Sequence, residues 1–138
     1  MVYPLSCMGA HVSACPNEQV GRQTPLETRG NVAFTGAFGY ELDLNKLSVN
    51  EIEIVKKQVA FYKENRNFIV KSDFYRLCSP FETNFAAWEA VAPDGERALV
   101  TVTRILSEIN GPYRRLFLCG LLPEQQYHIE SQYLSYNA

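Results

Sequence analysis

The fold is decided by residues 48–65, which read SVNEIEIVKKQVAFYKEN. Ser48 and Glu51 have the spacing of a capping box, in which each side chain hydrogen-bonds the backbone N–H of the other at the start of a helix. Glu53 stands four residues before Lys57, the favourable order for an ion pair on a helix. The pattern predicts a helix over 48–65 with one apolar stripe. Its buried residues would be Ile52, Val55, Val59 and Tyr62, and its exposed ones Glu53, Lys57 and Lys63.

Two apolar stretches precede this helix and predict short buried strands. The first covers residues 8–13 and the second residues 31–40. Residues 17–30 are polar and contain Gly21 and Pro25, which indicates a long loop that can include one helical turn. The order strand, loop, strand, helix is typical of an α/β fold.

After residue 68 the apolar period changes from the helical value to two, which indicates strands. Pro93-Asp94-Gly95 is a turn signal between two of them. Short strands at this spacing predict an antiparallel β-sandwich. The predicted strands are 74–78, 86–91, 98–105, 113–118 and 126–130.

Composition excludes several classes of protein. The net charge is −2 over 138 residues, with no cluster of lysine or arginine, which argues against a nucleic-acid or membrane partner. The first residues lack the features of a signal peptide, so a cytoplasmic location is expected. The four cysteines form no CxxC pair and are expected to be free, buried thiols. Cys7 and His11 lie four apart without a second cluster, so no metal site is predicted.

A series of short sequence words keeps its order and spacing along nearly the whole chain. In these words the chain closely resembles the C-terminal part of bacterial α-galactosidases of glycoside hydrolase family 36. The words are Tyr3–Ser6, Met8–Ser13, Thr24–Phe34, Gly39–Leu44, Asp73–Leu77 and Pro112–Leu116.

The resemblance implies an architecture and an activity. Residues 1–68 would be the last two β/α units of a (β/α)₈ barrel, and residues 69–138 part of a C-terminal antiparallel β-sandwich. The parent enzyme would be a retaining α-galactosidase, cutting terminal α-galactosyl residues from oligosaccharides such as melibiose and raffinose. It would use no cofactor or metal, and it would be a homo-oligomer, a tetramer in the enzymes it resembles. The alternative is a non-catalytic β-sandwich module for carbohydrate binding or assembly.

The family's two catalytic aspartates lie in words that do not occur here. Both are therefore expected upstream, with no catalytic residue in this chain, which alone would be inactive. His11 is the predicted substrate-binding residue, because barrel enzymes place their sites at the carboxyl ends of the strands. The alternative is a structural, hydrogen-bonded histidine. Trp88 could stack on a sugar, but its alanine-rich strand favours a place in the sandwich core.

Two acidic pairs are predicted to be structural. Glu27 and Arg29 are expected to form an ion pair in the loop before the second strand. Glu41 and Asp43 would share one face of that strand, so they cannot flank a glycosidic bond from opposite sides. A solvated strand end is the favoured interpretation of this second pair.

Overall fold

The computed structural model describes residues 3–106, 109–111 and 113–130, and the chain divides into two compact units, residues 1–71 and 72–138. In the first unit, 3₁₀ turns cover Leu5–Cys7 and Leu44–Lys46. Its strands and helices are β1 Gly9–Ser13, α1 Leu26–Ala33, β2 Ala37–Glu41 and α2 Val49–Lys71. The strands of the second unit are β3 Asp73–Cys78, β4 Phe85–Val91 and β5 Ala98–Arg104.

The first unit is built on two parallel strands covered by helices on one face. β1 pairs with β2 in register from Gly9 opposite Ala37 to Ser13 opposite Glu41. Val12 is fully buried and packs against Leu26 and Ala33 of α1. The residues packed around this core are Ala10, Phe38, Tyr40, Leu42, Ile54 and Val55.

The opposite face of the strand pair, here called the open face, carries no helix contact in this core. Because side chains alternate along a strand, it consists of every second residue of β1 and β2. The sequence predicts buried strands, but on this side of the strand pair all but one of the residues are exposed. The open face consists of Gly9, His11, Ser13, Ala37, Gly39 and Glu41, of which Gly39 is half-buried.

Helix α1 covers residues for which a loop with one helical turn and the start of a strand were predicted. The helix is longer than one turn, and the strand start predicted at 31–33 is wrong. Pro25 supplies the fixed φ that suits the start of a helix, and Glu27 lies in the first turn, where a carboxylate is favourable. Leu26 and Ala33 are buried on its inner side together with Gly30, four residues after Leu26. The second strand is accordingly shorter than predicted and begins only at Ala37.

Helix α2 begins as predicted and ends later. Ser48 N–H donates to Glu51 Oε2 at 2.8 Å and Glu51 N–H to Ser48 Oγ at 3.3 Å, which confirms the capping box. The helix runs six residues past Asn65, whose amide bonds the Phe61 carbonyl at 2.8 Å, and Ile69 is fully buried near its end. A polar residue that bonds its own helix therefore does not end it.

Burial along α2 differs in part from the predicted stripe. Glu53, Lys57 and Lys63 are exposed as predicted, but Glu53 pairs with Lys56 at 2.6 Å rather than with Lys57. The stripe residues Ile52, Val55, Val59 and Tyr62 are only half-buried. The buried residues are Gln58, Asn65 and Ile69.

The second unit contains an antiparallel sheet in the order β3-β4-β5. It confirms the first three strands predicted after the helix in the sequence, those at 74–78, 86–91 and 98–105. Strand β3 is bulged between Arg76 and Cys78. The strands predicted at 113–118 and 126–130 are wrong, because the described part of 113–130 contains no strand. Side chains hold this segment instead: the guanidinium of Arg114 lies 5.1 Å from the ring centre of Phe85, and Tyr127 donates to the Gly95 carbonyl at 2.8 Å.

Among the described residues, neither helix has the length and apolar character needed to cross a bilayer.

Candidate functional site

The carboxyl end of the open face groups three polar side chains. His11 Nδ1 lies 3.8 Å from Glu41 Oε2, and Ser13 stands directly opposite Glu41 in the strand register. The side chains of His11 and Glu41 are 53% and 75% exposed in this chain. We call His11, Ser13 and Glu41 the polar end of the open face.

Glycines give the His11 ring its place on the sheet. A Cβ atom at Gly39, directly opposite His11, would stand 3.3 Å from the ring atom Cδ2, which is tighter than ordinary packing. A Cβ at Gly9 would stand 3.7 Å from Cε1. Because neither glycine carries a side chain, the imidazole occupies the surface between them and its Nδ1 side lies nearest Glu41.

Glu41 and Asp43 do not share a strand face, so that expectation is wrong. Glu41 is the last residue of β2, and Asp43 lies beyond it. The Asp43 carboxylate accepts from the backbone N–H of Asn45 at 3.0 Å and caps the following 3₁₀ turn. Both residues are exposed, as the prediction of a solvated strand end required.

Arg29 forms backbone contacts in place of the predicted loop ion pair with Glu27. Both residues lie on α1, where positions two apart point in different directions. Arg29 Nε donates to the Thr24 carbonyl at 2.9 Å, and Nη1 donates to the Ser13 carbonyl. Arg29 therefore ties the last residue of β1 to the loop before α1 and fixes the backbone at the polar end of the open face.

A buried glutamine links both helices to β2. The Gln58 amide donates to the Leu26 carbonyl at 3.0 Å and accepts from the Tyr40 hydroxyl at 2.7 Å. Burial raises the pKa of Tyr40 to about 12, so this hydroxyl stays a donor at neutral pH. Sequence reasoning missed Gln58, although a polar residue four positions after Ile54 on the inner side of the helix was a usable signal.

Glu89 is a fully buried carboxyl group in the middle of β4. Its Oε1 accepts from the Cys119 backbone N–H at 2.5 Å, and Oε2 has no hydrogen-bond partner among the described residues. Burial raises the pKa of Glu89, and the bond from Cys119 opposes that shift only in part. Glu89 thus attaches the segment around Cys119 to the sheet. The buried Oε2 without a hydrogen-bond partner is destabilising.

Trp88 does not lie in the buried core, contrary to prediction. It is half-buried, and the buried residues of β4 are Ala87, Glu89, Ala90 and Val91. Trp88 Nε1 itself is shielded from solvent and has no partner within the described part of the chain. It borders a shallow depression that is also lined by Phe74, Arg76 and Phe81.

All four cysteines are free, as predicted. Cys7, Cys15 and Cys119 are exposed and Cys78 is half-buried, so the expectation of buried thiols is wrong. Each of the three exposed residues lies outside a strand or α-helix, where packing does not cover it. Within residues 3–106, 109–111 and 113–130, no group of three or more His, Cys, Asp and Glu side chains could hold a metal ion.

Two family models match the chain in succession. The Melibiase model matches residues 1–72, and the model of the glycosyl hydrolase family 36 C-terminal domain matches residues 85–137. α-Galactosidase AgaA of Geobacillus stearothermophilus is 55% identical over 130 residues, which are 94% of this chain and 18% of that protein.

Solved structures of such enzymes superpose on the chain. The crystal structure of family 36 α-galactosidase AgaB from Geobacillus stearothermophilus matches with a TM-score of 0.87 at 55% identity, covering 90% of this chain and 17% of that one. A variant of AgaA in complex with raffinose matches with a TM-score of 0.84 at 56% identity, covering 87% and 17%.

The class that the fold and these matches define is the glycoside hydrolases. The chain belongs to the Melibiase family, and it spans about a fifth of the length of the relatives it matches.

Proposed function

We propose that this chain is a segment of a retaining α-galactosidase, the part that completes the catalytic barrel and begins the C-terminal sandwich. The parent enzyme would remove terminal α-galactosyl residues from oligosaccharides of the melibiose and raffinose type. The observation that carries the proposal is the 55% identity to α-galactosidase AgaA, which extends over 94% of the chain. The Melibiase match over residues 1–72 favours this proposal over a free-standing sandwich module.

The first unit supports an assignment to a barrel. Its order β1, α1, β2, α2 is that of two β/α units, its strands are parallel, and both helices pack on one face. In a (β/α)₈ barrel the other face points inward, and substrates bind at the carboxyl ends of the strands. We assign residues 1–68 to this barrel and residues 69–138 to part of the antiparallel sandwich, of which the sheet β3-β4-β5 would be one layer.

The described carboxylates have roles other than catalysis in this proposal. Retaining glycosidases need two carboxyl groups about 5–5.5 Å apart, one as nucleophile and one as acid and base. Asp43 caps a 3₁₀ turn, and Glu89 is buried under the backbone of Cys119. Because the sequence words that carry the family's two catalytic aspartates do not occur here, we place both aspartates outside this chain and expect the chain alone to be inactive.

We propose that His11 contributes to substrate binding in this segment. It projects from the open face, which would be the inner face of the barrel, and its side chain is 53% exposed. The raffinose complex of the AgaA variant supports raffinose-type galactosides as substrates of the parent enzyme. A cytoplasmic homo-oligomer that uses no cofactor and binds neither nucleic acid nor membrane stays a prediction from the sequence.

A chimeric enzyme tests the proposal. In α-galactosidase AgaA, the matching 130 residues are replaced by those of this chain. We expect this full-length chimera to hydrolyse raffinose and nitrophenyl α-galactoside, with the α-anomer of galactose appearing first in NMR spectra. The isolated 138-residue chain should give no turnover. An inactive but folded chimera contradicts the proposal, and so does turnover by the chain alone that is lost in Glu41→Ala or Asp43→Ala.

A further inference from the structure

The polar end of the open face has the composition of a small carbohydrate-binding site. Ser13 supplies a hydroxyl, Glu41 a carboxylate and His11 an imidazole, and all three are exposed. Glu41 is the last residue of its strand, and its side chain is 75% exposed, against 53% for His11. A carboxylate is a strong acceptor for hydroxyl groups, and hydrogen bonds to charged groups contribute more than neutral ones.

We propose that Glu41 binds hydroxyl groups of the saccharide substrate and that His11 is the positioning residue that holds it. This inference rests on the proposed function, since it takes the open face as the inner face of the barrel.

Two observations support the assignment of the two roles. His11 Nδ1 lies 3.8 Å from Glu41 Oε2, so the imidazole stands beside the carboxylate at a distance too long for a direct hydrogen bond. Glu41 Oε2 thus keeps its acceptor capacity for a ligand. Gly39, directly opposite His11 and two residues before Glu41, leaves the imidazole room to lie beside the carboxylate.

The backbone beneath this group is fixed independently. Arg29 holds the Ser13 carbonyl, and Ser13 stands opposite Glu41 in the register. Arg29 therefore fixes the end of β1, and the strand pairing places the end of β2 beside it before a ligand arrives. Preorganisation of this kind reduces the entropy lost on binding.

Kinetics of the full-length chimera test the proposal with raffinose as the substrate. Because a charged acceptor is lost, Glu41→Gln should raise KM about 10-fold or more and leave kcat within about threefold. His11→Ala should raise KM about threefold in the parent background and have no effect in the Glu41→Gln background, because it acts through Glu41. Asp43→Asn is the matched control, because Asp43 is an exposed carboxylate that caps the neighbouring 3₁₀ turn. This substitution should change KM less than about twofold.

The outcomes separate the two proposals. An inactive unsubstituted chimera contradicts the proposed function. If the chimera is active and Glu41→Gln leaves its KM unchanged, only the role of Glu41 is overturned. Additive effects of the two substitutions overturn the positioning role of His11.

A second measurement needs no activity. The chain has two histidines, so ¹⁵N NMR of the 138-residue chain can follow the His11 ring with His128 as internal reference. Removal of the carboxylate in Glu41→Ala should change the balance between the Nδ1–H and Nε2–H tautomers of His11, and Asp43→Asn should not. An unchanged tautomer balance in Glu41→Ala contradicts the contact itself.

Discussion

The close approach of α1 and α2 at Gly30 gives the sharpest stability prediction. A Cβ atom at Gly30 would lie 2.2 Å from Nε2, 2.4 Å from Cδ and 2.8 Å from Oε1 of Gln58. Those distances are shorter than any real contact, so in Gly30→Ala the Gln58 amide must move. The amide is buried and makes two hydrogen bonds, to Leu26 and from Tyr40.

The expected magnitude follows from opposing effects. Alanine in place of glycine stabilises a helix by about 1 kcal/mol. Against this, the two hydrogen bonds of Gln58 contribute about 1 kcal/mol each, and overpacking costs about 1–3 kcal/mol. We expect Gly30→Ala to lower the free energy of unfolding by about 3 kcal/mol, although the same substitution in an isolated helix would raise it.

Urea denaturation of the 138-residue chain measures the change. Far-UV circular dichroism at the helix band reports the first unit, since α1 and α2 both belong to it. With a slope of about 1.5 kcal/mol per molar urea, the midpoint should fall by about 2 M. The control Val32→Ala lies on an exposed position of the same helix and should leave the midpoint nearly unchanged.

A double substitution isolates the contact. In Gly30→Ala combined with Gln58→Ala the new methyl group has room, so the pair should be no less stable than Gln58→Ala alone. A single Gly30→Ala variant that is more stable than the parent chain would refute the reasoning, because it would show that Gln58 moves aside freely.

Three further predictions concern a buried charge, a helix cap and a turn. Burial raises the pKa of Glu89 in the folded state, so the contribution of this group to stability falls as the pH rises above the ordinary pKa of 4.5. Glu89→Gln should therefore stabilise the chain at pH 8 but not at pH 4, as measured by urea denaturation at each pH. Equal effects at both values would contradict it. Ser48→Ala removes the cap of α2 and should lower the free energy of unfolding by about 1 kcal/mol in the same assay; no loss would argue against the cap. Gly21→Ala and Gly120→Ala both force a side chain into positive φ, at +63° and +72°. Only the second meets a neighbour, the Tyr75 ring at 2.8 Å, so thermal melting should show a clearly larger loss for Gly120→Ala, and equal losses would refute that contact.

An element can be predicted from the sequence when the residues that determine it lie close together along the chain. The start of α2 is predictable because Ser48 and Glu51 are three residues apart. Helix α1 is not, because the reason for Gly30 in its middle is Gln58, which belongs to another helix. The strand predicted at 113–118 is also wrong, and Arg114 in that segment instead contacts Phe85, which is distant in sequence.

The candidate site shows the same limit. His11 could be named from the sequence as a residue near a strand end, but its neighbour Glu41 could not. The two are brought together by the parallel register of β1 and β2, which pairs Ser13 with Glu41 and His11 with Gly39. The sequence pattern does not specify that register, so the proximity of Glu41 to His11 could not be predicted from it.

The contact between Gly30 and Gln58 also has a consequence for evolution. The two positions occupy one volume, so a side chain can grow at one only if it shrinks at the other. Relatives that carry alanine or serine at the position of Gly30 should carry a shorter residue in place of Gln58. Where Gln58 is lost, the hydroxyl of Tyr40 loses its acceptor, and phenylalanine becomes acceptable in place of Tyr40. Substitutions at these three sites should therefore appear together in family lineages rather than independently.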